Sequence, residues 1–123
     1  MYFSSSEKAA ILRLFVLIIG ADNRIDKSEM ALSALYSKKL SITPTEIELS
    51  KTIDNQTALI IVSGMTDEEK KVVCALLGEL MAVDGEVAEN EQVVWSLISE
   101  ICGFPQMSIR EAHEIVKTFF SQQ

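Results

Sequence analysis

Apolar residues in this chain gather into stretches of helical length, separated by short polar breaks that contain Gly, Pro, Asp or Ser. The spacing predicts two long helices over residues 5–20 and 67–83, each followed by a second helix, over 27–38 and 89–102. In the last of these, Val94, Leu97, Ile98 and Ile101 recur at i, i+3, i+4 and i+7, one apolar stripe suited to a core. Leu32, Leu35 and Tyr36 form a weaker counterpart in the earlier segment. Thr43, Pro44 and Glu46 together signal a helix start: hydroxyl cap, proline in the first turn and Glu at the third position. Residues 55–63 contain the run ALIIV, which suits a strand or a helix. Helix is favoured, because no other segment offers a strand partner. Gly64 stops this element, and Thr66 with Glu69 forms a capping box for the next. Residues 103–105 break the sixth helix. Ser108 and Glu111 then cap a seventh whose apolar face is Ile109, Ala112, Val116, Phe119 and Phe120.

The pattern is duplicated. Residues 6–43 superimpose on 68–105 with a shift of 62 positions. Glu7–Lys8 then meets Glu69–Lys70, Leu14 meets Leu76, Asp22 meets Asp84, Glu29 meets Glu91 and Leu35 meets Leu97. Apolar class is kept where Ile18 meets Leu80, Tyr36 meets Ile98 and Ile42 meets Phe104. Matched charge, core and turn positions together indicate an internal repeat. The expected architecture is all-α: a single domain over residues 1–123, a compact bundle of about seven helices with the two helix–acidic turn–helix hairpins at its centre.

Composition narrows the class. A 123-residue chain with 48% hydrophobic and 24% charged residues has room for one domain with a real core. Residues 9–21, AAILRLFVLIIGA, resemble a signal peptide superficially, but they are too short for a span, Arg13 interrupts them and Glu7 precedes them. Their recurrence inside the repeat marks a core helix. No membrane span is expected, so contact with a membrane would come only through a partner, and the setting is read as cytoplasmic. A net charge of −7 without a basic patch speaks against nucleic acid. Cys74 and Cys102 lie in apolar runs and, with the lone His113, match no zinc spacing, so they read as reduced, buried thiols.

The chemistry, if any, sits in the two turns. Both follow Asp-[Asn/Gly]-x-[Ile/Val]-x-x-x-Glu, running from Asp22 to Glu29 and from Asp84 to Glu91. Asn23 and Gly85 stand where a left-handed backbone would reverse the chain. This is the grammar of the second half of an EF-hand loop: a turn residue, an apolar residue two later and Glu four after that. The first half is absent: Ile18, Gly20, Leu80 and Ala82 occupy positions that would need oxygen ligands, which excludes a calmodulin-like site. Helix capping accounts for part of the acid content, with Asp26 to Glu29 reading as a capping box, whereas Ala88 leaves Glu91 without one.

The stretch LLGELMAVDGEVAENEQ at residues 76–92, the segment 97–105 and the weaker copy at 15–30 resemble the tellurite-resistance TerB-like family, including the TerB-like domain of membrane-associated J-domain co-chaperones. The resemblance covers nearly the whole chain. It implies an all-α bundle, a cytoplasmic bacterial stress-response setting, and a metal-binding or scaffolding role at an acidic surface. Carried over by motif position, the candidate ligands are Asp22, Asp26, Glu29, Asp84, Glu86 and Glu91. This chain departs from the family where Ala21 and Val83 replace the first acid of a pair and where Ala88 replaces an acid.

No phosphate loop, nucleophile elbow or His-x-x-x-His is present, and His113 reads as structural, so no enzyme is expected. Two functions remain. One is a binding or scaffold module whose acidic surface recognises a protein partner with a basic segment. The other is a regulatory domain that holds Ca or Mg between its two acidic turns.

Overall fold

A computed structural model of the protein describes residues 2–21, 26–83, 85, 87 and 89–123. Seven helices stand among them: α1 (Ser5–Ile19), α2 (Lys27–Lys39), α3 (Pro44–Thr52), α4 (Asn55–Ser63), α5 (Asp67–Ala82), α6 (Glu89–Cys102) and α7 (Ile109–Ser121). The described residues contain no strand, so the ALIIV run is the helix α4.

Side chains start the helices as their spacing predicts. Glu7 N–H donates to Ser4 Oγ at 3.1 Å while Ser4 N–H donates to Glu7 Oε1 at 2.8 Å. Thr66 and Glu69 repeat this box ahead of α5, and Ser108 and Glu111 repeat it ahead of α7. At α3 the Glu46 carboxylate accepts from both the N–H and the hydroxyl of Thr43, at 3.4 and 2.6 Å. That hydroxyl bond holds the Glu46 carboxyl below its usual range. Each box satisfies N–H groups that a helix start leaves open.

α1 and α5 form the centre. Ile11, Leu14, Phe15 and Ile18 of α1 and Val73, Leu76, Leu77 and Leu80 of α5 are fully buried. The N-terminal apolar segment is thus a core helix. α3 and α4 pack on α1, α7 packs on α5, and α6 lies against α4. The second helix of each hairpin therefore sits at the outside of the bundle, not at its centre.

Positions matched by the 62-residue shift share their environment. Leu14 and Leu76, Ile18 and Leu80, Tyr36 and Ile98, and Leu40 and Cys102 are buried in pairs. The helix ends agree as well. After α2, Ser41 has φ 58°, and Ile42 N–H reaches back to Ser37 C=O at 2.9 Å. After α6, Gly103 has φ 71°, and Phe104 N–H reaches Ser99 C=O at 3.0 Å. Both are Schellman stops, and both set an apolar residue, Ile42 or Phe104, against the core.

Both cysteines are buried and unbridged. Their thiols point at carbonyls, Cys74 Sγ at Pro105 O (3.5 Å) and Cys102 Sγ at Leu59 O (3.9 Å). Burial pushes both up to about 11, so they remain protonated at neutral pH.

Three helices carry apolar faces wider than their contacts. In α6 only Ile98 and Cys102 of the apolar side are fully buried, whereas Leu97 and Ile101 face outward, against the expectation of a single core-facing stripe. Ile109 at the start of α7 and Leu35 of α2 are likewise exposed. The reason is geometric. Outer helices with a neighbour on one side bury about a third of their circumference, and their apolar arcs are broader than that.

Candidate functional site

The first acidic turn leads into α2, where Asp26 is the N-cap. Its Oδ1 accepts from Glu29 N–H at 2.8 Å, which commits one of its oxygens to the helix. Glu29 follows in the first turn and is 3% exposed. Glu91, its counterpart in α6, is 1% exposed. These repeat-matched glutamates are therefore interior residues at the positive ends of their helices, where the backbone dipole favours a carboxylate. Asp22, Asp84 and Glu86 lie outside the described residues. Gly85 is described and has φ 82°, the left-handed turn its sequence position implies, and Val87 is half-buried against the core behind it. Among the described residues no three His, Cys, Asp or Glu side chains come together as a metal site.

A second polar constellation went unrecognised in the sequence. Glu79 of α5 joins three helices. Its Oε1 accepts from Tyr36 Oη of α2 at 3.0 Å, and its Oε2 lies 3.0 Å from His113 Nδ1 of α7. Burial, followed by the adjacent Glu79 charge, pushes the Tyr36 phenol well above its usual range. His113 is largely exposed, and the pair borders a groove of about 420 Å3 between α2 and α7. Leu35, Tyr36, Val116 and Phe120 line its floor, with Lys39 and Lys117 beside them. Lys39 Nζ rests 5.2 Å from the centroid of the Phe120 ring. The signal was faint: Tyr36 to Glu79 to His113 spans three helices, so no local motif contains them.

The third feature is the outward face of α6. Val93, Leu97 and Ile101, at i, i+4 and i+8, are 55%, 57% and 53% exposed. Glu89 and Glu100 fall on the same side of the helix, four residues before Val93 and three after Leu97. On α4, which α6 packs against, Ile60 is exposed too. Residues 72–109 hold six acids and not one Lys or Arg. No helix among the described residues is long and apolar enough to cross a membrane.

No family model matches the chain. No curated protein matches it either. Among solved structures it matches the crystal structure of a protein of unknown function from Porphyromonas gingivalis at 32% sequence identity and a TM-score of 0.83, covering 95% of this chain and 92% of that one. Identity and coverage at that level place the two in one family. The chain belongs to the same family as the Porphyromonas gingivalis protein.

Proposed function

We propose that this protein is a non-catalytic binding or scaffold module, and that α6 presents its docking surface to an apolar partner segment bordered by Lys or Arg. The observation that carries this is the exposed Val93–Leu97–Ile101 stripe with the exposed Glu89 and Glu100 on the same side of the helix. Contiguous exposed aliphatics on a helix cost solubility unless a partner covers them. An amphipathic segment lying along such a stripe is a recurrent recognition mode. Glu89 and Glu100 supply the sign: they favour a basic border and disfavour an acidic one. The TerB-like resemblance of residues 76–92 agrees with this reading, since it implies a metal-binding or scaffolding role at an acidic surface in a cytoplasmic bacterial stress response.

Calorimetric titration with two helical peptides tests the proposal, one built from Leu and Lys and one from Leu and Glu with the same apolar face. The Leu/Lys peptide binds, more weakly as salt rises. Val93→Ser with Leu97→Ser reduces its affinity about tenfold or more, in line with the loss of about 1.5–3 kcal/mol per buried aliphatic side chain. Equal binding of both peptides, or of neither, overturns the reading.

A further inference from the structure

The groove between α2 and α7 has the opposite character to the α6 stripe. Its floor is apolar, with the Tyr36 and Phe120 rings 5.7 Å apart, and Lys39 and Lys117 stand beside it. Glu79, the one acid lining it, already has both oxygens engaged by Tyr36 and His113. The α6 stripe is apolar with Glu89 and Glu100 alongside. Each surface therefore offers what the other lacks. Within one molecule α7 packs chiefly on α5 and α6 chiefly on α4, so the two surfaces belong to different parts of the bundle. We infer that the partner of the α6 stripe is the α2/α7 groove of a second copy of this chain, giving a head-to-tail association. The inference rests on the docking role of α6 proposed above and names its occupant.

Two different patches form such a contact, so it is heterologous and each added copy leaves one stripe and one groove open. Growth then continues as a chain or stops by closing into a ring. Val93, Leu97 and Ile101 enter beside Leu35 and Phe120, while Glu89 and Glu100 come to Lys39 and Lys117. Both sets of charges are exposed in the single copy, so their contribution is screened by salt.

Sedimentation velocity on the full chain tests this. Wild type shows a weight-average mass that rises with concentration and falls back with added salt. A groove variant, Lys39→Glu with Lys117→Glu, and a stripe variant, Val93→Ser with Leu97→Ser, each sediment as monomers, and melting followed by circular dichroism shows both folded. Mixed in equal amounts they form a one-to-one pair and nothing larger, because one retains only the stripe and the other only the groove. A monomeric wild type at every concentration overturns the inference, as does a mixture that stays monomeric. A monomeric wild type that still binds the Leu/Lys peptide leaves the docking role standing and removes only the second copy as occupant. If the peptide also fails to bind, both fall.

Discussion

Ser41 and Gly103 do the same work in the two halves of the repeat: each takes a left-handed conformation just after an outer helix, at φ 58° and 71°. Only one of them is a glycine. A β-carbon in that region costs about 1–2 kcal/mol, partly offset by the extra freedom glycine has when unfolded. Ser41→Gly should stabilise the protein by about 0.5–1 kcal/mol, and Gly103→Ala should destabilise it by about 1 kcal/mol or more. A β-carbon at Gly103 would meet only the end of the Lys70 side chain, at 3.4 Å, so the backbone sets the cost. Urea denaturation of the two variants checks the pair. Changes of the same sign would refute the shared stop.

Glu29 and Glu91 are interior carboxylates, so their removal should be felt in stability before it is felt in any binding. Glu29→Ala and Glu91→Ala should each cost about 1–3 kcal/mol, the range for stranding a buried polar partner. Glu48, which makes an exposed ion pair with Lys51, sets the control: Glu48→Ala should stay within about 0.5 kcal/mol. Equal midpoints for Glu91→Ala and Glu48→Ala would show that the buried carboxylate is structurally idle.

Tyr36 donates to Glu79 from a position 3% exposed to solvent. Tyr36→Phe should therefore cost about 1.5–3 kcal/mol, the range for a hydrogen bond to a charged group, with the helices otherwise unchanged. Glu79→Gln keeps an acceptor for the phenol and should cost less than Glu79→Ala, which leaves it stranded. Thermal denaturation at pH 7 ranks the three. A Tyr36→Phe variant as stable as wild type would mean that the contact contributes nothing.

Alkali should unfold this protein through three buried groups. Cys74 and Cys102 are raised from 9.0 to about 11, and Tyr36 is raised above its ordinary 10.0. In each case folding favours the neutral form: the thiols' contribution is complete below about pH 9 and is lost as pH climbs through about 11, whereas that of Tyr36 starts to be lost only above about pH 10. Denaturation midpoints should hold steady to about pH 9 and then fall. The double variant Cys74→Ala with Cys102→Ala should flatten the early part of that fall, whatever its stability at pH 7. Rapid alkylation of either thiol in the native protein at pH 8 would contradict their placement.

Local chemistry made much of the fold readable before any coordinates. Ser108 with Glu111 and Thr66 with Glu69 start α7 and α5 because a hydroxyl and a carboxylate three residues apart can answer each other's backbone N–H groups. The apolar runs at residues 9–21 and 72–83 had to be buried, and the repeat tied one to the other. Gly85 had to turn left-handed, since the position calls for it and glycine allows it at little cost. These are interactions between near neighbours in the chain, so the residue order alone determines them. Which part of an outer helix meets the core is another matter. Val93, Leu97 and Ile101 are as apolar as Ile98, and only the placement of α4 and α1 beside α6 divides them into covered and open. The link from Tyr36 through Glu79 to His113 depends on three helices arriving together, as does the pairing of an apolar groove with lysines drawn from α2 and α7. Burial is a property of the assembled surface, and a carboxylate such as Glu91 becomes an interior residue only when its neighbours close around it.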